Sequence, residues 1–436
     1  MTVAHWRTLD NGFRVLTLEM SHLHSLRLDL HLRVGSRWET SETNGLSHFV
    51  EHLLFNGTRS YPSATELSLA AAEIGGALNG EVGPETAGYY LWTRTMHLEE
   101  AISIFSSMFT EPLFDEKEMD IERRIVLAEI AEENRRGSVD ELLWPNHPLS
   151  YYVSGPRSNL RGFSRDQVLD HWRRFYVPDN LILVAMGNVD HDRVGALAEK
   201  AFGGMTGRFA EKFAPWRGTD AGSTGAAVGS ANAEPGPRFK FVTLMENPGY
   251  NVGLAYRAFG AGDTRRVALG LLNTILGVSD TSRLFLGVRE RQGLVYTVES
   301  YTTLWTDTGA LEVEFNASRR KLRPALEAVM RELRSLATRE VSVGELARAK
   351  EWQIATLESG LDDPAGLSRR CALRALFNDS LSIEETIELT EKVTAEEILE
   401  VAREIIRPEN ACLFIQGPGF GARDKREIRD LVRGKE

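Results

Sequence analysis

The chain has 436 residues, 42% of them hydrophobic and 26% charged, and its 51 lysines and arginines against 62 aspartates and glutamates give a formal net charge of −11. So acidic a balance excludes the dense basic face that holds nucleic acid and argues against docking on an anionic membrane surface. Single cores rarely grow past about 250 residues, so two domains are expected.

In chain order, the opening stretch MTVAHWRTLDNGFRV has no basic segment followed by a long apolar run. No run of about 18 apolar residues follows anywhere, so neither a secretory leader nor a membrane helix is expected, and the expected compartment is the cytoplasm. Residues 13–20 (FRVLTLEM) and 25–36 (SLRLDLHLRVGS) alternate apolar and polar side chains, as strands of a half-buried sheet do. Residues 63–75, 97–109 and 118–136 carry apolar residues at helical spacing. Strand runs and helix runs are segregated, which predicts an α+β fold: in each domain a mainly antiparallel sheet with helices packed on one face.

Between the first strands and the first of those helices lies GLSHFVEHLLFNGT, residues 45–58. On a helix, His48 and His52 stand one turn apart on one face, with Glu51 flanking them. A zinc hydrolase needs two imidazoles at that spacing and a carboxylate that reaches a water molecule without itself ligating; H-x-x-E-H is the reverse of the commoner H-E-x-x-H and serves the same chemistry. The rival reading is a buried helix whose three polar residues face a neighbour. Leu46, Phe49, Val50 and Leu53 do make the helix mostly buried, and three polar groups there need partners; a metal would satisfy all three.

A third ligand is sought in EMDIERRIVLAEIAEENRR, where Glu122 and Glu129 are seven apart and so share a helix face. The run Ile125, Val126, Leu127, Ala128 between them predicts that this face is partly internal, where a carboxylate needs a partner. Glu132 and Glu133 lead into Asn134, Arg135 and Arg136 and read as surface charge.

Residues 218–237 (GTDAGSTGAAVGSANAEPGP) are a Gly-rich linker too poor in large apolar side chains to repay their ordering entropy. They divide the chain into residues 1–217 and 238–436. The halves repeat a motif: Pro178, Asn180 and Gly187 recur 230 positions later as Pro408, Asn410 and Gly417. Each set follows a helix-like run with Ser164 or Thr394 in an N-cap position, which predicts a duplicated unit of helix, turn, apolar strand and Gly stop. In the second half, TSRLFLGVRERQGLVYTVES (281–300) read alone is a helix end, Gly293 and a strand, with Arg289 at the surface. Cys371 and Cys412 support neither a disulfide framework nor a thiolate metal site and read as buried fillers. His22, His24 and His191 read as surface residues. His5, His31, His97, His147 and His171 show no metal-like spacing.

His48, Glu51 and His52, followed after 76 residues by Glu129, resemble the motif of the inverzincin zinc metallopeptidases, the family of pitrilysin, insulysin and the mitochondrial processing peptidase, in its short bacterial two-domain form. The resemblance extends over LDNGFRVL, GLSHFVEHLLFNGT and FYVPDNLILVAMGNVD, nearly the whole chain. It implies two domains as clam-shell halves and one Zn2+ per chain, held by His48, His52 and Glu129. It further implies Glu51 as general base and Glu122 as a supporting carboxylate beside the ligands. Arg289 and Tyr296 match an Arg/Tyr pair that in relatives reaches across a chamber, the Arg holding the substrate backbone and the Tyr steadying the oxyanion. GGALNGEVGPETAGYYLW (75–92) matches an edge strand that pairs with the peptide. Asn79 agrees with the family pattern as a substrate-binding residue, whereas Gly80 and Val82 stand where the family has Ala and Thr. The implied activity is endopeptidase cleavage of short unstructured peptides. The implied assembly is a homodimer, with a heterodimer of related subunits as the variant. The alternatives are a catalytically silent or partner-dependent subunit of a heterodimeric processing peptidase, and a structural metal site without hydrolysis.

Overall fold

A computed structural model describes residues 3–213, 215, 237–377 and 381–434. All of the expected linker except Pro237 lies outside those residues. The chain forms two compact units, Met1–Arg136 with Tyr151–Ala214 and Gly360–Asp379, and Gly137–Ser150 with Pro215–Ser359 and Ser380–Glu436. No described helix is long and apolar enough to cross a membrane.

The first unit is built on six strands: β1 (Val3–Thr8), β2 (Arg14–Glu19), β3 (Ser25–Arg33), β4 (Ala77–Val82), β5 (Thr86–Arg94) and β6 (Leu181–Gly187). Their order across the sheet is β1-β2-β6-β3-β5-β4. Among the described residues of this sheet only β2 and β6 run parallel; the other pairs are antiparallel. The second unit has β7 (Arg238–Thr243), β8 (Tyr250–Ala258), β9 (Val298–Leu304), β10 (Gly309–Ala317) and β11 (Ala411–Gly417), in the order β7-β11-β8-β10-β9. Here too a single pair, β7 with β11, is parallel. Apart from β1, the two sheets have the same strand order and polarity, which is what a duplication produces.

The repeated motif explains itself physically. Ser164 and Thr394 each begin a helix (Arg165–Phe175 and Ala395–Ile405) with a complete capping box, closed by Gln167 and Glu397. After each helix a buried asparagine turns the chain into the central strand. Asn180 Nδ2 donates to the carbonyls of Phe175 (2.8 Å) and Arg33 (2.9 Å); Asn410 Nδ2 donates to those of Ile405 (2.9 Å) and Arg257 (2.8 Å). One side chain thus satisfies a helix end and a strand end at once. The strand then stops at glycine because a Cβ would meet the Ser25 carbonyl at Gly187 and the Tyr250 ring at Gly417.

Each sheet has its main helical layer on one face, but its other face is not left to solvent. In the first unit the helix Pro364–Phe377 lies against β3 and β6. Ser368 Oγ is 3.5 Å from His31 Nε2, Arg369 pairs with Glu81 at 3.0 Å, and Arg14 Nη1 donates to the Ala375 carbonyl at 2.8 Å. In the second unit, Val139, Leu143, Trp144 and Leu149 pack on Ala255, Ala310, Cys412 and Phe414. Each unit therefore completes its sheet with a segment from the opposite half of the sequence. This second cover corrects the half-buried reading of the early strands: Val15, Leu16, Thr17 and Leu18 are all buried, and β3 is buried over most of its length.

Candidate metal centre

The helix Leu46–Leu53 carries the histidine pair. It starts at Gly45, whose φ of 98° suits glycine and where a Cβ would lie 2.6 Å from the Ser154 carbonyl oxygen. Glycine offers no capping side chain. Glu39 supplies the cap: its buried carboxylate accepts the Ser47 N–H at 2.7 Å, the Gly45 N–H at 2.9 Å and the Asn44 amide at 3.1 Å. A negative group thus sits at the positive end of the helix. Phe49, Val50 and Leu53 anchor the helix in the core, which leaves His48, Glu51 and His52 on the side turned from it.

A second helix, Glu116–Arg136, faces this side and anchors through Met119, Val126 and Ile130. Glu129 Oε2 lies 3.5 Å from His52 Nε2 and 3.8 Å from His48 Nε2. The three ligand atoms are all within 4.8 Å of one another. Ligands at zinc–ligand distances of about 2.0–2.1 Å around a tetrahedral ion are separated by about 3.3 Å, so little movement would bring this triangle onto a metal. The two imidazoles are 4.7 Å apart and nearly perpendicular, so they do not stack against each other.

The protonation chemistry agrees with a metal set. Burial lowers the His48 imidazole to about 4, helped by the neighbouring His52, so His48 is neutral at pH 7 with a nitrogen lone pair to give. Its Nδ1 is buried without a hydrogen-bond partner, so the ring makes its polar contacts through Nε2. Glu122 Oε2 is 3.1 Å from His52 Nδ1. With the carboxylate as acceptor, Nδ1 is the donor, and in that tautomer of the neutral ring Nε2 carries the lone pair towards the triangle. These residues fit a zinc ion.

Glu51 is 8% exposed, and its Oε2 lies 3.9 Å from His52 Nε2, beside the triangle. Burial pushes its carboxyl up to about 7; His52 pulls it down, and Glu129 and Glu122 push it further up. The carboxylate rests against β4, where a Cβ on Gly80 would come within 2.7 Å of Glu51 Oε1 and 2.9 Å of the Tyr89 ring. Gly80, where the family pattern has Ala, thus leaves space beside the Glu51 carboxylate. Tyr89 is fully buried and its hydroxyl pairs with that of Tyr176 at 2.6 Å, which fixes the ring under the carboxylate.

The Glu122/Glu129 face is partly internal, as expected: the Glu122 side chain is mostly buried, whereas the Glu129 end opens to solvent. Ile125 and Ala128 are exposed, and the Glu129 side chain is 47% exposed. The apolar run spans more than a half-turn, so within it Val126 is fully buried and Leu127 packs partly buried against the core, and the triangle is open to solvent on the Glu129 side. The side chains of Glu132 and Glu133 lie outside the described residues.

Asn79 is on β4, which among the described residues pairs only with β5 and forms the sheet edge. Its side chain is exposed, with Oδ1 accepting the Gly80 N–H at 2.9 Å. Arg289 and Tyr296 belong to the second unit and meet there: the guanidinium sits 4.7 Å from the Phe285 ring centre and 5.6 Å from that of Tyr296. Arg289 lies in a π-helical turn, Phe285–Glu290, and Tyr296 is 82% exposed. Sequence reasoning missed Glu39 and Tyr89. Glu39 sits in the polar run WETSET, and nothing local separates a helix-capping carboxylate there from surface charge. Tyr89 follows from strand alternation only once β5 has been set beside β4.

Residues 14–156 match the family described as "Insulinase (Peptidase family M16)", and residues 162–351 match "Peptidase M16 inactive domain". An uncharacterized zinc protease of Streptomyces coelicolor is 30% identical over 434 residues, covering 97% of this chain and 90% of the relative. One from Bacillus subtilis is 28% identical over 422 residues, covering 94% and 98%. Among solved structures, a protease from Helicobacter pylori superimposes with a TM-score of 0.84 at 20% identity, covering 95% of this chain and all of that one. A peptidase M16 inactive domain from Pseudomonas fluorescens does so with 0.83 at 17%, covering 96% and 99%.

Proposed function

The chain belongs to peptidase family M16, the insulinase family, and on that premise we propose that it is a zinc-dependent endopeptidase for short unstructured peptides. The observation that carries the reading is the convergence of His48, His52 and Glu129 within 4.8 Å, with a buried carboxylate, Glu51, beside them. The fold alone would be compatible with a silent subunit; a complete set of ligands and base favours a working one.

His48, His52 and Glu129 would hold one zinc ion per chain, which would supply Lewis acidity for activating water and polarising the scissile carbonyl. Glu51 takes a proton from that water and delivers it to the leaving amine. A carboxyl group brought near neutrality by burial suits both directions of transfer. Glu122 fixes the tautomer of His52. The free edge of β4, with Asn79, offers backbone groups on which an extended peptide can add as a further strand. Arg289 grips the peptide backbone, and Tyr296 donates to the developing oxyanion. Cation–π contact orders Arg289 before substrate arrives. The match of residues 162–351 to an inactive domain goes with this division of labour, in which metal chemistry resides in the first unit.

The experiment is Glu51→Gln in the zinc-loaded full chain. Cleavage of an oligopeptide pool, read by mass spectrometry, should fall by about 10²–10⁴-fold, while zinc content stays at that of the parent. Undiminished cleavage would remove Glu51 from the mechanism.

A further inference from the structure

The loop that carries Tyr296 borders a cavity of about 620 Å³ within the second unit. Its wall includes Tyr296, Asn247, Asn251, Asn316 and Lys321, and no acidic side chain. That is unlike the chain as a whole, with its net charge of −11. Arg319 and Arg320, adjacent to Lys321 in sequence, are both exposed. Lys321 Nζ gives one N–H to the Gly293 carbonyl at 2.6 Å, which leaves two for a ligand. Asn247 Oδ1 faces the Gly249 N–H at 3.5 Å, so its amide NH₂ is left to donate. An exposed phenol, a primary amide and an ammonium around one concavity make a set of donors with no competing carboxylate. The phenol and the amides can donate or accept, but the Lys321 ammonium only donates and carries positive charge, so a group that accepts hydrogen bonds and carries negative charge matches it.

We propose that this cavity is a substrate subsite that holds a carboxylate of the bound peptide, with Lys321 as its charge partner and Arg319 and Arg320 drawing acidic peptides towards it. The inference rests on the reading of the chain as a peptidase whose Tyr296 faces the substrate. The carboxylate is that of an Asp or Glu side chain or of the peptide's C-terminus; both present the same two oxygens. Positive charge collected in one place on an otherwise acidic protein also steers encounter, so the preference should weaken as salt rises.

The test uses the full-length, zinc-loaded Glu51→Gln chain and four labelled peptides of one sequence. One carries an internal Glu, one Gln in its place, and each is made with a free or an amidated C-terminus. Dissociation constants from fluorescence anisotropy should be about tenfold lower for a carboxylate-bearing peptide than for the Gln amide, and which carboxylate matters identifies the source. Lys321→Met should bring the ratio close to one and Lys321→Arg should keep it. Arg320→Glu, which leaves the Gly293 anchor in place, should lower it. Equal affinity across the four peptides, or a ratio unchanged by both Lys321→Met and Arg320→Glu, overturns the subsite and leaves the peptidase reading standing. Failure of the parent chain to bind or cut any of them overturns both.

Discussion

In the first unit the α-helix that follows β3 is Leu46–Leu53, and it presents His48, Glu51 and His52 on one side. In the second, the α-helix that follows β8 is Arg266–Asn273, and there Val267, Ala268, Leu269, Leu271 and Leu272 all enter the apolar core. The strand order around both helices is the same, as are the capped helix and the asparagine turn that lead into each central strand. The fold therefore does not require titratable residues at this place; the second unit fills it with Val, Ala and Leu side chains and one buried asparagine, Asn273, that accepts from Ser300. What the first unit holds there costs desolvation, since burial depresses His48 and raises Glu51. That cost is intelligible if a cation and a substrate complete the site. The second unit also buries a carboxylate pushed up to about 7, Glu312, but surrounds it with Thr303, Tyr301, Asp140 and Glu314 and no imidazole. One buried acid stands beside the His52 imidazole and two further carboxylates, as the proposed base requires; the other stands among hydroxyls and carboxylates alone.

The sharpest way to break this contrast is to give the first helix the second one's chemistry. His48→Leu with His52→Leu should abolish both zinc binding and peptide cleavage. Measured by urea titration in a chelator, the variant should be at least as stable as the metal-free parent, because the His48 imidazole, whose burial disfavours charge, and the neighbouring ring are replaced by apolar groups. A metal-free variant much less stable than the metal-free parent would mean that the histidines are packing elements first. A smaller effect is expected from Glu122→Gln, which keeps the shape and removes the charge behind His52 Nδ1. Zinc affinity, read by competition with a chromophoric chelator, should fall by about 10–100-fold, with the circular dichroism spectrum unchanged.

Much of the candidate metal site was legible because its spacing is local. Spacing alone sets His48, Glu51 and His52 on one side of a helix, and seven positions set Glu122 and Glu129 on one face of another. The repeat was legible from three residues 230 positions apart, because Asn180 and Asn410 each do a job no other side chain does as well. The exchanged segments were not legible. The contact of Ser368 with His31 spans 337 residues, and an amphipathic helix carries no mark of which sheet it will cover. Two-sided burial of β2 and β3 was hidden for the same reason, because the cover on the second face comes from far along the chain. The orientation of Ile125 was unreadable within a run of four apolar residues, where every helical phase looks equally good.

A pH titration sharpens the contrast between the two buried acids. The Glu312 carboxyl is raised from 4.5 to about 7, chiefly by burial. Between those pH values the folded chain keeps a proton that the unfolded chain has released, so stability from this group falls as pH rises through the window and is level above it. Glu312→Gln in the zinc-loaded chain should remove that slope. Its thermal midpoint should exceed the parent's at pH 8, by up to about 3 kcal/mol in stability, and match it near pH 4. A variant no more stable at pH 8 than at pH 4, relative to the parent, would show that Glu312 is held ionised.

The finest comparison is between the two asparagine turns, since here the units are built alike to within one hydrogen bond. Removing either side chain leaves two backbone carbonyls without their donor, at a cost of about 1–3 kcal/mol. Asn180 does one thing more: its Oδ1 accepts from Arg33 Nε at 2.9 Å, whereas Asn410 Oδ1 is buried without a partner. Asn180→Ala strands a guanidinium N–H as well as the carbonyls; Asn410→Ala relieves an unsatisfied oxygen while losing the same donor. Asn180→Ala should therefore cost more than Asn410→Ala, by about 1 kcal/mol, in urea titrations of the two variants under the same conditions. Equal costs would mean that the Arg33 contact is replaced by water at no loss, and that the duplicated turns are energetically as well as geometrically the same.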